Sequence, residues 1–387
     1  MPRKFQVGII GYGGFGQYLH QAWGGHPGVV VAAVADADPA RRPSPGSRFY
    51  HQWQDLLNDP EIDIVTVATP CSSHAEIAVA ALRRGKHVLV EKPLATTLEG
   101  AREIIAARDA SGCVAAVDYM QRYNPLVQAV KALCDNDTLG ILRRIVVENY
   151  AADDQLPPHH WFWDLERSGG ILVEHGVHFF DLADYLSAAT PVQVNGSAAR
   201  RPDGRIDRMQ ASVQYDTGLL AEHYHAFCVP GYFEQTTIRL VFDLARIELT
   251  GWIPLQGRIT ALTADGSIDT FGWLPNFETI SRTPIKELTD ESRPEGWGQS
   301  ADEAEEGQET VCGGKNYNVD LMIEGRFRAD GDKHTVYIGC LRALQSDFLA
   351  AVRGDGTVNV PLEHGLQSLD TALKATALAL ATLPPSP

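Results

Sequence analysis

The stretch that decides the fold of the first part of the chain reads Phe5-Gln-Val-Gly-Ile-Ile-Gly-Tyr-Gly-Gly-Phe-Gly16. Phe5 to Ile10 is an apolar run typical of a buried strand, and apolar residues at helical spacing follow the last glycine. Gly11, Gly13 and Gly16 fit Gly-x-Gly-x-x-Gly: the first allows a tight turn, the second lets a pyrophosphate approach the backbone, and the third lets helix and strand pack closely. The stretch therefore predicts a dinucleotide-binding unit, the alternative being an ordinary glycine-rich turn.

A carboxylate follows the second predicted strand. Val29 to Ala35 is apolar and ends in Asp36, about 20 residues beyond the last glycine, where an acidic side chain can accept hydrogen bonds from the adenosine ribose hydroxyls. This favours NAD over NADP, because a 2′-phosphate would meet the carboxylate. Arg41 and Arg42 could pair with such a phosphate, but a solvated turn before Pro43 is the simpler interpretation of these two residues.

Strands and helices alternate as far as residue 117. Ile62 to Ala68, Val88 to Val90 and Val114 to Val117 are further strand-like runs separated by helical patterns, which predicts a doubly wound parallel sheet. From Ile141 onward, extended segments joined by short turns predict one large, mainly antiparallel sheet. Two helices are expected near the end, at Val336 to Val352 and Leu366 to Leu383.

The predicted fold class is α/β, with an N-terminal Rossmann domain over residues 1–125. A C-terminal α/β domain with a large, mainly antiparallel open sheet is predicted over residues 126–387, and the 387-residue length suits two domains. Glu287 to Glu309 is acidic and poor in aliphatic residues, so we expect an exposed loop or insertion there.

The composition excludes several function classes. The net charge of −16, with 49 acidic against 33 basic residues, argues against a nucleic-acid partner, since phosphate contacts need a surplus of Lys and Arg. No apolar run approaches the roughly 20 residues that span a bilayer, and no signal-peptide pattern is present. We therefore expect a cytoplasmic protein without a membrane partner, whose six scattered cysteines are reduced thiols.

A second informative stretch is Gly85-Lys-His-Val-Leu-Val-Glu-Lys-Pro-Leu-Ala95. Its apolar centre predicts a strand buried on both faces, and Glu91 and Lys92 stand at the carboxyl end, where open α/β sheets place their chemistry. A buried Lys92 could hold a substrate oxygen there, and a surface Lys in a tight turn is the alternative. Before this strand, Thr69 and Pro70 introduce a helix, and His74 is either a capping residue or a contact to the cofactor ribose.

A third cluster lies on a helix that interrupts the sheet region. Glu174, His178 and Asp181 have the spacing of one helix face, and a carboxylate beside a His raises the imidazole pKa and orients the ring, as a general base requires. A solvated polar face is the alternative. Zinc is disfavoured although other histidines lie nearby in sequence, because the pattern is not His-Glu-x-x-His. Trp161 and Trp163, just upstream, could stack on a sugar face or pack in the core.

Together these motifs resemble the glucose-fructose oxidoreductase and inositol dehydrogenase family, Gfo/Idh/MocA. The matching stretches are the glycine loop, Ala68-Thr69-Pro70 with His74, Gly85 to Ala95, Arg122-Tyr-Asn-Pro125, and Gly169-Gly170 through His178 and Asp181. The resemblance implies a Rossmann domain followed by an α/β domain whose open sheet commonly forms oligomer contacts. A homo-oligomer, dimer or tetramer, is therefore expected.

The resemblance also implies roles for individual residues. Lys92 and His178 match the family's catalytic Lys and His. Glu174 stands where many members have Asp. Asp118 stands where a small residue is usual, and Gln121 stands where an amide is common. Cofactor contacts are expected from Gly11, Gly13, Gly14, Phe15, Gly16, Asp36, Thr69, Pro70, His74, Glu91, Lys92 and Gln121. Substrate contacts are expected from Lys92, Asp118, Arg122, Trp161, Trp163, Glu174, His178 and Asp181, and no metal is expected.

The activity implied is NAD(P)-dependent oxidation of a secondary hydroxyl on a sugar, glycoside or cyclitol. In this hypothesis His178 takes the hydroxyl proton, Lys92 stabilises the alkoxide, and Glu174 holds the imidazole. Glu91 would help position Lys92 and the nicotinamide ribose, and Asp181 would either support the helix or bind a second substrate hydroxyl. Two alternatives stay open: a glycoside-modifying or cleaving enzyme that recycles its NAD, and a dinucleotide-binding sensor without catalysis.

Overall fold

A six-stranded parallel sheet forms the first layer of the chain. The computed structural model describes residues 3–43, 46–264, 268–287 and 308–383. Within them the strand order is β3-β2-β1-β4-β5-β6, as expected for a Rossmann domain. The strands are β1 (Phe5–Ile10), β2 (Val29–Ala35), β3 (Arg48–Tyr50), β4 (Ile64–Val67), β5 (His87–Glu91) and β6 (Ala115–Asp118).

Helices connect these strands, and local sequence signals set several of their ends. The Thr97 side chain accepts the Gly100 N–H at the start of α4, and Gly112 ends that helix in the left-handed region with φ +67°. The Asn124 side chain caps α5, where Pro125 is the first helical residue. The helices are α1 (Gly14–Gly24), α2 (Trp53–Asn58), α3 (His74–Arg83), α4 (Leu98–Ser111) and α5 (Pro125–Cys134).

A nine-stranded sheet dominates the second layer, in the order β14-β17-β13-β12-β11-β7-β10-β9-β8. Its neighbours run antiparallel except for the parallel pair β7 and β10, so the predicted mainly antiparallel sheet is confirmed. The strands are β7 (Leu142–Ala152), β8 (Pro191–Arg200), β9 (Ile206–Tyr215), β10 (Leu220–Val229), β11 (Gln235–Phe242), β12 (Ala245–Thr250), β13 (Gln256–Thr263), β14 (Glu278–Pro284) and β17 (Leu321–Arg328). A separate hairpin pairs β15 (Gln308–Cys312) with β16 (Lys315–Val319).

Several elements lie outside the predicted set. The sequence interpretation missed β3, which is three residues long, and every strand from β13 onward. The acidic stretch predicted as a loop falls mostly on residues 288–307, outside the described residues, while Gln308 and Glu309 belong to β15. Short 3₁₀ segments occur at Pro39–Arg41, Cys71–Ser73, Met120–Tyr123, Asp137–Leu139, Asp153–Gln155, Trp161–Trp163, Gly231–Phe233, Ile268–Trp273 and Ile285–Glu287.

The two long helices at the end of the chain connect the layers. They are α8 (Lys333–Arg353) and α9 (Leu362–Ala381), close to their predicted positions. The first packs against α1, while the second contacts both α4 and β8, so the last helices return to the parallel layer. No helix among the described residues is long and apolar enough to cross a membrane.

The helix that carries Glu174 and His178 is interrupted by a π-helical turn. A short helix, α6 (Leu165–Ser168), comes first, then the π-helical residues Leu172–Gly176, then α7 (Val177–Ser187). Such turns are rare and often lie at functional sites. A continuous α-helix was expected here, so the side chains before and after the turn are aimed differently from the prediction.

Arg122 and Asp181, which were both expected to contact the substrate, form a buried ion pair. Arg122 Nε and Nη2 donate to the two Asp181 oxygens at 2.8 and 2.5 Å, and the side chains are only 7% and 2% exposed. Arg122 Nη1 also lies 2.9 Å from His364 Nδ1 on α9. Because the guanidinium and the carboxylate bind each other, this pair links the end of the parallel layer to α7.

Replacing Asp181 by Asn should therefore destabilise the fold, because it leaves the Arg122 guanidinium buried without its carboxylate. We expect the free energy of unfolding, measured by denaturant titration, to fall by about 3–5 kcal/mol. Asp370→Asn is the matched control, since it breaks an exposed pair with Lys374 and should cost less than about 1 kcal/mol. Equal losses in the two variants would contradict this assignment.

Candidate active site

A cavity of about 870 Å³ lies along the carboxyl ends of β1, β2, β4, β5 and β6. This is the edge at which parallel α/β sheets bind their ligands. The glycine loop and Asp36 line one part of it, while residues of the second layer, including His178 and Trp252, line another. The cavity therefore joins the predicted dinucleotide unit to the predicted catalytic cluster.

Lys92 and Glu174 are held together at the wall of this cavity. Lys92 Nζ donates to Glu174 Oε1 at 2.9 Å and to the Glu174 backbone carbonyl at 2.8 Å. Burial lowers the pKa of Lys92, but Glu174, together with Cys71 and Glu91 nearby, more than offsets this and holds the pKa above its ordinary value. The ammonium therefore stays charged, and the surface-Lys alternative is excluded because both side chains are mostly buried.

His178 does not have the environment that its spacing predicted. Burial, and then the nearby Lys92 cation, hold the pKa of His178 well below the ordinary value of 6.5. Glu174 was expected to raise it, but Glu174 Oε1 is bound to Lys92 instead. Trp252 and Tyr119 contact the ring edge-on, with centroids at 5.4 and 6.2 Å. His178 is thus a neutral imidazole positioned by aromatic contacts.

The glycine loop fits a pyrophosphate. Gly11 has φ +90°, and a Cβ on it would lie 2.4 Å from the Ala68 carbonyl, while a Cβ on Gly16 would lie 2.1 Å from the Gly11 carbonyl. These two glycines are required by the fold. Gly13 and Gly14 line the cavity, and a Cβ there would meet nothing closer than Arg41 at 3.5 Å. Their exposed backbone at the start of α1 leaves room for an anion.

Asp36 is held at the end of β2 by backbone donors. The N–H of Tyr12 donates to Oδ2 at 2.7 Å and the N–H of Asp38 to Oδ1 at 2.9 Å. Arg41 Nη1 lies 3.4 Å from the same carboxylate and lines the cavity, whereas Arg42 stacks on Phe49. Arg41 therefore lies in an exposed turn, as predicted, and its side chain also lines the cavity.

Glu91 and Asp118 form a second pair on the cavity wall. They are register partners at the ends of β5 and β6, and both are buried. The two carboxyl groups interact with each other, and the backbone of Met120 and of Lys92 lies close to Asp118 and Glu91 respectively. Glu91 Oε1 and both Asp118 oxygens have almost no exposed surface. Burial and then Asp118 raise the pKa of Glu91 well above its ordinary value, and burial raises that of Asp118.

Three other residues that were predicted to contact the cofactor or the substrate are hydrogen-bonded to the protein itself. His74 is buried below the cavity, with Nδ1 2.7 Å from the Pro93 carbonyl and Nε2 2.8 Å from the Thr69 carbonyl, so its role is structural. Gln121 is also buried and donates to the Trp252 carbonyl at 3.2 Å. Trp163 donates to the Leu156 carbonyl and lies under two arginine side chains.

The remaining predicted residues lie together. Those on the cavity wall are Gly11, Gly13, Gly14, Phe15, Asp36, Thr69, Pro70, Glu91, Lys92, Asp118, Trp161, Glu174 and His178. No group of three or more His, Cys, Asp or Glu residues in the described ranges could hold a metal ion.

Sequence reasoning missed three tryptophan and tyrosine residues of the wall, of which Trp53 is the first residue of α2. Trp252 lies in the turn after β12, and Tyr337 lies on α8; their ring centroids are 5.9 Å apart. Gly251, with φ +104°, marks the turn that exposes Trp252. Tyr337 carries no local signal, because only the packing of α8 brings it to the cavity.

Comparison with known proteins agrees with this architecture. Residues 5–119 match the family described as "Oxidoreductase family, NAD-binding Rossmann fold" (GFO_IDH_MocA), and residues 127–248 match its C-terminal domain. A putative myo-inositol dehydrogenase from Sinorhizobium meliloti 1021 has a similar structure, with a TM-score of 0.69 at 19% identity and 98% of each chain covered. At that identity the likeness shows the fold alone.

Two curated relatives show how far the sequence similarity extends. The scyllo-inositol 2-dehydrogenase (NAD(+)) of Bacillus subtilis is 26% identical, with 72% of this chain and 82% of that protein aligned. The 1,5-anhydro-D-fructose reductase of Ensifer adhaerens is 34% identical, but the alignment spans only 45% of this chain and 53% of the reductase. With both family domains matched in order, the chain belongs to the Gfo/Idh/MocA oxidoreductase family.

Proposed function

We propose that the protein is an NAD-dependent dehydrogenase that oxidises a secondary hydroxyl of a sugar, glycoside or cyclitol. The observation that carries this proposal is the presence of a charged Lys92 and a neutral His178 in one cavity with the glycine loop. An alcohol gives up a proton and a hydride when it is oxidised. The two side chains supply the proton acceptor and the alkoxide stabiliser.

The dinucleotide would be held by the loop at Gly13 and Gly14 and by Asp36. When bound, it supplies the hydride acceptor that no side chain provides. Asp36 favours NAD, because its carboxylate already lies at the end of β2, where the adenosine ribose hydroxyls are bound in this fold. Arg41 is the residue that would pair with a 2′-phosphate if NADP were used.

Lys92 acts on the substrate oxygen. Two of its three donor positions are used by Glu174, so one N–H is left for the alkoxide that forms as the proton departs. A well-placed donor of this kind contributes on the order of 3 kcal/mol to transition-state stabilisation. Glu174 is then a positioning residue, because it fixes the ammonium and keeps it charged.

His178 accepts the hydroxyl proton. A neutral imidazole is the reactive form of a base, and burial next to Lys92 keeps it in this form. The relatives named above act on inositol or an anhydro sugar, which supports a polyol as the substrate class.

Reduced-nicotinamide absorbance tests the activity directly. We expect the purified protein to reduce NAD, and NADP less efficiently, with at least one member of a panel of inositols, sugars and glycosides. Lys92→Met and His178→Asn should each lower turnover by about 100-fold or more, while NAD affinity measured by fluorescence stays unchanged. Lys374→Met, on an exposed surface, is the control. Near-native turnover in either active-site variant would contradict the proposed roles.

The pH dependence of kcat/KM tests whether the pKa of His178 is lowered or lies near its ordinary value. Because its pKa lies well below 6.5 in the folded protein, the imidazole stays neutral as the pH falls through 6.5. We therefore expect kcat/KM, which reports the free enzyme, to show no decline centred there. A decline near 6.5 that disappears in His178→Asn would contradict a lowered pKa for this imidazole.

A further inference from the structure

His175 is a second imidazole on the cavity wall, and the proton transfer described above does not use it. It lies in the π-helical turn, directly after Glu174, and is partly exposed. Its Nε2 is buried without a hydrogen-bond partner among the described residues, whereas Nδ1 is not buried in this way and also makes no hydrogen bond to them. Nδ1 is therefore the polar atom of this ring that a bound molecule can reach.

Three aromatic rings surround the His175 imidazole. The centroids of Phe227 and His225 lie 5.2 and 5.4 Å from it, with interplanar angles of 88° and 76°. Phe179, in α7, lies 5.6 Å away. These contacts restrict rotation of the ring, so a ligand that binds Nδ1 costs the protein little side-chain entropy.

The Lys92 ammonium acts on His175 as well as on His178. Burial, and then Lys92, lower the pKa of His175 to about 3, and His175 contributes in turn to the lowered pKa of His178. At neutral pH the His175 imidazole is therefore uncharged. A neutral imidazole carries one N–H and one lone pair, so Nδ1 is either a donor or an acceptor. A hydroxyl satisfies it in both cases, because a hydroxyl both donates and accepts.

The two imidazoles have different neighbours in the cavity. His178 lies against Trp252, whereas His175 lies against Phe227 of β10. A substrate whose reacting oxygen lies at Lys92 and His178 would therefore have another polar atom within the same cavity, separate from the reacting centre. Binding sites typically combine apolar and aromatic walls with a few such polar groups, which fix the orientation of the ligand.

We propose that His175 is a specificity residue that bonds through Nδ1 to a second hydroxyl of the substrate, apart from the one that is oxidised. This inference rests on the proposed function, because it concerns the substrate of the same cavity. An analogue that lacks this hydroxyl leaves Nδ1 unpaired, and a site built for a hydroxyl discriminates against such an analogue. The cavity therefore selects a polyol over a lone secondary alcohol.

Calorimetric binding to the NADH-loaded protein tests this role without turnover, since the reduced cofactor cannot accept a hydride. The probes are myo-inositol and glucose, each compared with its monodeoxy analogues. With at least one parent polyol, we expect the loss of either of two hydroxyls, the one at Lys92 and the one at His175, to raise the wild-type Kd about 10-fold or more. In His175→Leu the second effect should disappear while the first remains. His175→Asn, whose amide keeps a polar atom near the Nδ1 position, should restore part of the second effect.

His334→Leu is the matched control, since it removes an exposed imidazole at the start of α8 that does not line the cavity. It should leave every Kd ratio as in wild type. The proposal is overturned if no probe binds wild type, if the loss of only one hydroxyl weakens binding, or if both effects persist in His175→Leu. Failure of the proposed function is a separate result: the ratios would change as expected, yet no polyol would reduce NAD.

Discussion

The ammonium of Lys92 is held by two oxygens of Glu174, one from the side chain and one from the backbone, and the rest of the site depends on this contact. Lys92 stands at the end of β5 in the parallel sheet, whereas Glu174 belongs to the π-helical turn of the second layer. The contact therefore fixes the two layers against each other at the cavity. It also keeps a positive charge at a buried position, which burial alone would disfavour.

The buried Lys92 ammonium affects the protonation of the neighbouring side chains. Burial, and then the cation next to it, disfavour a positive charge on His178, so its imidazole is neutral. In the proposed mechanism Glu174 would act through Lys92, which it keeps charged, because its Oε1 is bound to the ammonium. The Glu91–Asp118 pair lies on the same wall, where burial raises the pKa of both carboxyl groups. In the proposed mechanism, the Lys92–Glu174 ion pair thus separates the alkoxide-stabilising group from the base.

Contiguous signals allowed much of this to be predicted. The glycine loop, the strand before Glu91 and Lys92, and the sheet class are each encoded in short stretches whose periodicity reports local structure. The partners were harder to predict. Lys92 and Glu174 are 82 residues apart, and Arg122 and Asp181 are 59 apart. Helix spacing led us to expect that Glu174 holds the His178 imidazole and that Asp181 supports the helix or binds a substrate hydroxyl. Each carboxylate is instead paired with a residue distant in sequence, Lys92 after β5 and Arg122 in a 3₁₀ segment. Tyr337 reaches the wall because α8 packs against α1.

A double-mutant cycle on kcat/KM tests the central role of the Lys92–Glu174 contact most directly. The cycle compares Lys92→Met, Glu174→Gln and the double variant with wild type, using a polyol that the wild type oxidises. If Glu174 acts through Lys92, its loss should matter little once the ammonium is gone, and the coupling should reach about 1.5 kcal/mol or more. Additive effects of the two substitutions would contradict this account, because they would mean that Glu174 acts on the reaction independently of Lys92.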